Sequence, residues 1–249
     1  MPTPRFFIDA PTDQFHLGEA FELPPKTARH AGRSLRLAAG EEVELFNGTG
    51  AAWRGPIGFT GDAAWVQLET RTDRTAESAL SVALLQSLVA PEKTDWIVEK
   101  AVEAGVAEIV FTPAERSVTR LSGDRLEKRL ARLTDIARSA AEQCGRNVVP
   151  AVRAVSSLEE GFKTLSGSLR FVLAPGAEAS TVSKMVPGLE SVVFAVGPEG
   201  GFSQKEIELA ESHGWSPLLI GPRVLRTETA GLAAAVWAQT LAGDFPRAS

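Results

Sequence analysis

The spacing of hydrophobic and polar positions changes near residue 80 of this chain. Residues 1–70 carry short apolar runs separated by turn residues, which predicts short strands and one helix closing into a small barrel-like sheet. From Leu80 onward, strand-like runs alternate with amphipathic stretches, the pattern of a mostly parallel α/β sheet. The predicted strands lie near 80–86, 107–111, 149–153, 169–174, 191–196 and 217–220, and the predicted helices near 93–104, 124–143, 157–165, 203–213 and 229–241.

The same change predicts two domains, residues 1–72 and residues 73–249. In the first, 5–9 and 43–46 are predicted to be extended and 25–35 helical. Residues 71–78 are polar and aperiodic, as expected of a linker. The last predicted helix is apolar over much of its surface, which fits either burial in the core or a dimer interface.

A glycine-rich corner follows the apolar run 191–196. The run leads directly into the sequence GPEGG at 197–201, where glycine and proline force a tight turn. Ser203 and Glu206 have the spacing of a capping box, so a helix is predicted to begin there. A second corner, Gly221 and Pro222, follows the run 217–220. Two such corners at the carboxyl edge of an α/β sheet predict one ligand pocket, although a glycine-rich turn without a ligand remains the alternative.

The first corner does not match the common nucleotide motifs. It lacks the GxxxxGK[ST] phosphate loop, and Glu199 stands where GxGxxG requires its second glycine. A carboxylate there would repel a pyrophosphate, which disfavours a nicotinamide-dependent oxidoreductase. A ligand with a cationic centre and an adenosine fits better.

Composition excludes several classes of protein. Hydrophobic residues make up 44% and charged residues 23% of the 249 positions, which is ordinary for a globular chain. No apolar run approaches the ~20 residues of a membrane span, and the first residues lack the layout of a signal peptide. A single cysteine, Cys144, excludes an internal disulfide, and three scattered histidines predict no metal site. We therefore expect a cytoplasmic protein without metal or membrane contact.

The net charge of −5 is unevenly distributed. Residues 116–153 contain nine Lys and Arg against four Asp and Glu, so this segment is locally +5. A cationic helix of this kind fits a surface that follows RNA phosphates. It also fits a solvated helix face with i,i+4 ion pairs, such as Asp124 with Lys128.

Five stretches, read together, resemble the ribosomal RNA small subunit methyltransferase E (RsmE) family of the SPOUT class. They occur in the expected order: HAGRSLR at 30–36 with LFNG at 45–48; Lys93 with EKAVEAGV at 99–106; AAEQCGR at 140–146; VGPEGGF at 196–202; and GPRVLRTETA at 221–230. The resemblance implies an α/β fold with a deep C-terminal trefoil knot, preceded by a PUA-like RNA-binding domain. It also implies a homodimer that uses S-adenosyl-L-methionine to methylate N3 of one uridine in the decoding region of 16S rRNA, as naked rRNA or in the small ribosomal subunit.

The resemblance also implies site residues. The predicted cofactor residues are Leu173, Gly197, Pro198, Glu199, Gly200, Gly201, Ile220, Gly221, Leu225, Arg226, Thr229 and Ala230. Independently of the resemblance, the basic residues of the first predicted domain could contact RNA phosphates: Arg5, Lys26, Arg29, His30, Arg33 and Arg36.

Three residues are predicted to be catalytic. Deprotonation of uracil N3 places charge on O2 and O4, which Arg226 or Arg146 would stabilise, and Glu142 is a candidate base or RNA-orienting group. The alternatives are structural. Glu142 and Arg146 have the i,i+4 spacing of a helical ion pair, and Arg226 has Glu228 as a possible partner.

Two other functions remain compatible with the sequence. One is a SPOUT methyltransferase with a different RNA target. The other is a non-catalytic RNA-binding ribosome assembly factor, against which the two intact glycine corners argue.

Overall fold

The computed structural model describes residues 3–73, 76–175 and 185–245. Contacts between residues divide the chain into two compact units. The first comprises Met1–Glu77 and Ala141–Val149, and the second comprises Ser78–Ala140 and Pro150–Ser249. The first unit therefore takes in a short stretch from the middle of the chain.

The first unit is built on a six-stranded, mostly antiparallel sheet. Its order is β1-β3-β4-β5-β2, with β6 paired to β4 and only β1 and β3 parallel. The strands are β1 (Arg5–Phe7), β2 (Ala20–Glu22), β3 (Glu42–Phe46), β4 (Ala52–Thr60), β5 (Ala63–Gln67) and β6 (Thr70–Thr72). Helix α1 (Pro25–Arg29) continues into a π-helical turn, His30–Ser34, as the helical prediction for 25–35 required.

Close packing around β4 shapes this sheet. A Cβ on Gly55 would lie 1.6 Å from the carbonyl oxygen of Gln67, so only glycine fits there. On the core side, Phe15 stacks on Trp53 with ring centroids 4.1 Å apart. The two strands that the sequence did not predict, β2 and β6, have three residues each, too few to show a periodicity.

The second unit contains a fully parallel six-stranded sheet in the order β12-β10-β11-β7-β8-β9. Its strands are β7 (Ser81–Ser87), β8 (Val106–Thr112), β9 (Ala151–Ala154), β10 (Leu169–Leu173), β11 (Ser191–Val196) and β12 (Ser216–Leu218). The helices are α2 (Pro91–Glu103), α3 (Gly123–Cys144), α4 (Leu158–Thr164), α5 (Gln204–Ser212) and α6 (Thr227–Ala242). The predicted alternation of strand and helix is confirmed.

All strands of this sheet run parallel, but the order in which the chain adds them reverses beside β7. From β7 the chain moves outward to β8 and β9, whereas β11, β10 and β12 lie on the other side. Ligands of open α/β sheets bind beyond the carboxyl ends of strands near such a reversal. The fold thus favours a binding site where β10, β11 and β12 end.

Helix α6 divides its side chains between the core and the surface. Ala234, Ala235 and Ala238 are fully buried, whereas Val236 and Trp237 stay half-buried. Among the described residues, no helix is both long and apolar enough to cross a membrane. The trefoil knot stays a prediction from the resemblance.

Candidate functional site

A cavity of about 510 Å³ lies at the carboxyl ends of β10, β11 and β12. Four segments at or after the ends of these strands form most of its walls. They are the turn at 173–175, the glycine corner at 197–201, and the segments 218–220 and 222–228 that lead into α6. Its volume falls within the roughly 300–1,000 Å³ of small-molecule sites.

Ten of the twelve predicted cofactor residues line this cavity. They are Leu173, Gly197, Pro198, Glu199, Gly200, Gly201, Ile220, Leu225, Arg226 and Ala230. Gly221 and Thr229 are not among the lining residues, although the residues on either side of each include lining ones. The structure thus brings both glycine corners to one cavity, while direct contact of each residue with a cofactor stays a prediction.

Steric crowding explains the glycines of the first corner. A Cβ on Gly197 would lie 2.9 Å from the amide nitrogen of Phe202, and Gly201 has a φ of +67°. The Gly201 amide donates to the carbonyl of Pro198 at 2.8 Å and closes the turn. The predicted capping box follows: Ser203 Oγ accepts from the Glu206 amide, and the Glu206 carboxylate accepts from the Ser203 amide.

A buried chain of hydrogen bonds ties this corner to α6 and β7. Thr227 Oγ1 donates to the carbonyl of Gly197 at 2.6 Å and accepts from Nε2 of Gln86 at 3.1 Å. Gln86 is fully buried inside the parallel sheet. One hydroxyl therefore fixes the first corner relative to the start of α6 and to β7. Neither Gln86 nor Thr227 was among the predicted site residues; the available signal was a lone amide side chain within the apolar run 82–89.

A lysine neutralises the carboxylates at the cavity edge. Lys93 Nζ lies 2.9 Å from Glu199 Oε1 and 3.6 Å from Glu228 Oε2. Partial burial works against ionisation of Glu199, but the hydrogen bond and charge of Lys93 lower its pKa overall. The hydrogen bond that Lys93 donates to Glu199 raises the pKa of Lys93 in turn. From the sequence, the carboxylate of Glu199 favoured a cationic ligand. In the structure its charge is balanced by Lys93, a residue 106 positions earlier in the chain.

Arg226 lies at the start of α6 with an exposed side chain. Its carbonyl accepts from the amides of Thr229 and Ala230, both at 2.9 Å. The ion pairs of the described residues place Glu228 beside Lys93 and include none for Arg226. The guanidinium at the cavity is thus not held by the partner that the sequence offered.

Glu142 and Arg146, the other predicted catalytic residues, belong to the first unit and have other partners there. Arg146 is 3% exposed, and its Nη2 lies 2.5 Å from Oε2 of Glu77. Glu142 Oε1 accepts from the Phe7 amide at 2.6 Å. Burial raises the pKa of Glu142, against this hydrogen bond and nearby positive charges. These contacts support a structural role for both residues, and a catalytic role stays a prediction.

The predicted RNA-contact residues fall into two groups. Arg5 forms an ion pair with Glu44 at 2.8 Å and a hydrogen bond to Asn147, with its side chain 13% exposed. These contacts hold the Arg5 side chain within the first unit, so that little of its surface is accessible to RNA. The exposed residues, all on α1, the π-helical turn or just after it, are Lys26, Arg29, His30, Arg33 and Arg36.

We expect Glu142→Gln to raise the free energy of unfolding at neutral pH. Because the folded state binds the Glu142 proton more tightly than the unfolded chain does, this group's contribution falls as pH rises from the ordinary carboxyl pKa to the raised value. Glutamine keeps the acceptor for Phe7 and carries no charge. The gain should vanish below the ordinary pKa of glutamate. Urea unfolding across pH measures it, with exposed Glu99→Gln as control; a gain that does not depend on pH would contradict the assignment.

We expect Thr227→Val to lower the free energy of unfolding by about 1–3 kcal/mol. Valine has the shape of threonine but removes the hydroxyl, so the Gly197 carbonyl loses a buried donor and Gln86 loses an acceptor. Thr227→Ser keeps the hydroxyl and is the matched control. Urea unfolding compares the two variants; equal stability would show that the hydrogen-bonded chain contributes nothing.

The chain is similar to several ribosomal RNA small subunit methyltransferase E proteins over nearly its whole length. The ribosomal RNA small subunit methyltransferase E of Bacillus subtilis is 29% identical over 237 residues, covering 92% of this chain and 93% of that protein. The protein of the same name from Buchnera aphidicola (strain APS) is 25% identical, covering 97% and 95%. The crystal structure of a ribosomal RNA small subunit methyltransferase E from Neisseria gonorrhoeae, bound to S-adenosyl methionine, is 32% identical with a TM-score of 0.88, covering 98% and 100%.

Two family models match different parts of the chain. The family described as RNA methyltransferase domain matches residues 76–239, and the one described as RNA methyltransferase PUA domain matches residues 23–61. The cavity at 197–201 and 218–228 lies inside the first match, and the exposed cations of α1 and its π-helical turn lie inside the second. The resemblance found in the sequence is thereby confirmed: the chain belongs to the ribosomal RNA small subunit methyltransferase E family of RNA methyltransferases.

Proposed function

We propose that this chain methylates N3 of one uridine in the decoding region of 16S rRNA, with S-adenosyl-L-methionine as methyl donor. The observation that carries the proposal is the cavity that both glycine corners form at the carboxyl edge of the parallel sheet. The Neisseria gonorrhoeae relative, bound to S-adenosyl methionine, has the same fold over almost its full length, which supports the same cofactor here.

The residues around the cavity suit this cofactor. Leu218, Ile220 and Leu225 provide apolar surface for an adenine. Glu228 Oε2 is buried and accepts no hydrogen bond from the described residues, with Lys93 Nζ 3.6 Å away, so it can accept one from a donor group of the ligand. Gly197, Gly200 and Gly201 line the cavity and carry no side chain, so a ligand can approach the main chain there. When bound, S-adenosyl-L-methionine supplies a methyl group already activated by its sulfonium.

The protein's own task is to position uracil and stabilise charge. N3 of uracil carries a weakly acidic proton, and its loss places negative charge on O2 and O4. A guanidinium at the cavity stabilises that charge, and Arg226 is our candidate because its side chain is exposed there and not engaged by Glu228. Holding N3 in line with the methyl group accounts for much of the remaining rate enhancement.

The RNA must present its target base unpaired, because N3 lies on the Watson–Crick edge. Lys26, Arg29, Arg33 and Arg36 are exposed within or beside one short helical segment of the first unit. Arg33 forms a surface ion pair with Asp62, which costs little to exchange for a phosphate. We propose that these cations hold the RNA backbone, with His30 beside them.

We further propose a cytoplasmic homodimer without a metal ion. Helix α6 supports the assembly, since its half-buried side chains include four large apolar residues: Leu232, Val236, Trp237 and Leu241. The proposed domain boundary remains near residue 72.

The first test is methylation of small ribosomal subunits that lack this modification. The protein is incubated with S-adenosyl-L-methionine, and modified nucleosides are identified by mass spectrometry. We expect 3-methyluridine at one site of 16S rRNA. A different methylated nucleoside would overturn the target and keep the cofactor. Absence of both methylation and S-adenosyl-L-methionine binding would instead favour a non-catalytic assembly factor.

We expect Arg226→Ala to lower kcat by about a hundredfold or more, the usual effect of removing a group that stabilises transition-state charge. Arg226→Lys keeps a positive charge and should retain part of the activity. Exposed Lys205→Ala, on α5, is the control for loss of one charge and should keep full activity. Methyl transfer is measured beside the thermal unfolding of each variant. Full activity of a folded Arg226→Ala protein would remove Arg226 from the mechanism.

A further inference from the structure

A second cavity, of about 390 Å³, lies in the second unit where β7 ends and α2 begins. It shares no lining residue with the cavity of the glycine corners. One wall comes from the end of β7 and the start of α2, and the other from the segment before α3 and the first turns of α3. The lining residues are Leu88, Val89, Pro91, Thr94, Thr119, Leu121, Arg125, Lys128 and Arg129.

The floor of this second cavity is apolar. Leu88 and Val89 are 4% and 2% exposed, and Thr94 uses its hydroxyl internally, donating to the carbonyls of Val89 and Ala90. A flat, mostly apolar group can pack against such a surface without leaving a polar atom of the protein unpartnered.

The rim of the second cavity is cationic, and its three cations differ in how far they are engaged. Arg129 is 11% exposed, pairs with Asp95 at 2.7 Å and donates to the Pro91 carbonyl. Arg125 and Lys128 are exposed, and neither forms an ion pair with any described residue. The i,i+4 pair between Asp124 and Lys128 that the sequence offered is thus not made. Two cations at the mouth of an apolar cavity remain available to an anion.

The segment between β8 and α3 lines the second cavity and is hydrogen-bonded to residues at the glycine corner of the first. Thr119 and Leu121 line the second, while Arg116 Nη1 donates to the carbonyl of Gly200 at 2.9 Å. Glu115 is held at the same corner, because its carboxylate accepts from Ser203 Oγ at 2.8 Å. A ligand that extends from one cavity toward the other would therefore follow residues 115–121.

We propose that the second cavity binds one unpaired nucleotide of the RNA substrate. Its base packs on the apolar floor and its phosphate lies between Arg125 and Lys128. Single-stranded RNA is recognised in this way, by unstacked bases in pockets and by cations along the backbone. The inference rests on the proposed RNA methylation and extends it, since it adds a nucleotide site on the methyltransferase unit to the cations of the first unit.

The central test removes the two available cations. Arg125→Ala with Lys128→Ala is compared with Lys163→Ala and Lys205→Ala, which remove the same charge from α4 and α5 of the same unit. A short single-stranded RNA containing uridine is the probe. We expect the first variant to bind it about tenfold more weakly, and the slope of log K against log salt concentration to fall by about 0.7, the value for one phosphate on a single strand. The control should bind like the wild type. An equal loss in both variants, or in neither, would overturn the proposal.

A second variant tests the cavity itself. Thr119→Trp fills the space from its rim without changing charge. We expect weaker RNA binding with an unchanged dissociation constant for S-adenosyl-L-methionine. Wild-type RNA affinity in a folded Thr119→Trp protein would reduce the site to a phosphate-binding surface and overturn the nucleotide pocket.

The source of the nucleotide is tested with uridine 5′-monophosphate. We expect it to compete weakly with RNA, and 4-thiouridine in the RNA to cross-link within residues 115–128. Tight binding of the monophosphate that leaves RNA binding unaffected would identify a free-nucleotide site and overturn the proposal. These readouts do not require methyl transfer, so a wild-type protein that binds RNA without forming 3-methyluridine would contradict only the proposed function.

Discussion

One threonine hydroxyl holds the two halves of the ligand cavity together. Thr227 begins α6, and through its Oγ1 it joins the Gly197 carbonyl to the amide of Gln86 inside the sheet. The first corner follows β11, and the second follows β12, two strands away across β10. Backbone hydrogen bonds align the strands, and Lys93 bridges Glu199 and Glu228 at the cavity edge. The buried Thr227 bonds add a link with a narrow range of lengths and angles between the first corner and the start of α6.

Most strands and helices of the second unit were predictable because they are long enough to show their periodicity, whereas β12, with three residues, was indicated by the apolar run 217–220 that leads into Gly221. The capping box of Ser203 and the crowded turn at Gly197 were also evident, since both depend on neighbours a few residues away. Pairings across the fold were not. Lys93 meets Glu199 only after β7 and β11 have become neighbours in the sheet, and no local pattern encodes that distance. The i,i+4 rule likewise offered Glu142 as a partner for Arg146, whereas Glu77 is the residue that it meets.

The distribution of charge reconciles an acidic protein with an RNA substrate. The chain carries a net charge of −5, yet groups of exposed cations lie on α1, its π-helical turn and the first turns of α3. Many surface acids are engaged locally, as Asp95 is by Arg129 and Arg132. Because exposed charges further apart than ~8 Å are largely screened at physiological salt, RNA responds to these local groups more than to the total.

The first unit is formed from two separate segments of the chain, which has a consequence for synthesis of the protein. Residues 141–149 belong to it, and Arg146 among them is buried and forms an ion pair with Glu77. A buried charge that lacks its partner is strongly destabilising. A ribosome must therefore translate β7, α2, β8 and nearly all of α3 before the amino-terminal unit can close. During that interval, Glu77 has been synthesised but Arg146, its ion-pair partner, has not. The unit that comes first in the chain is thus completed only after much of the second has emerged.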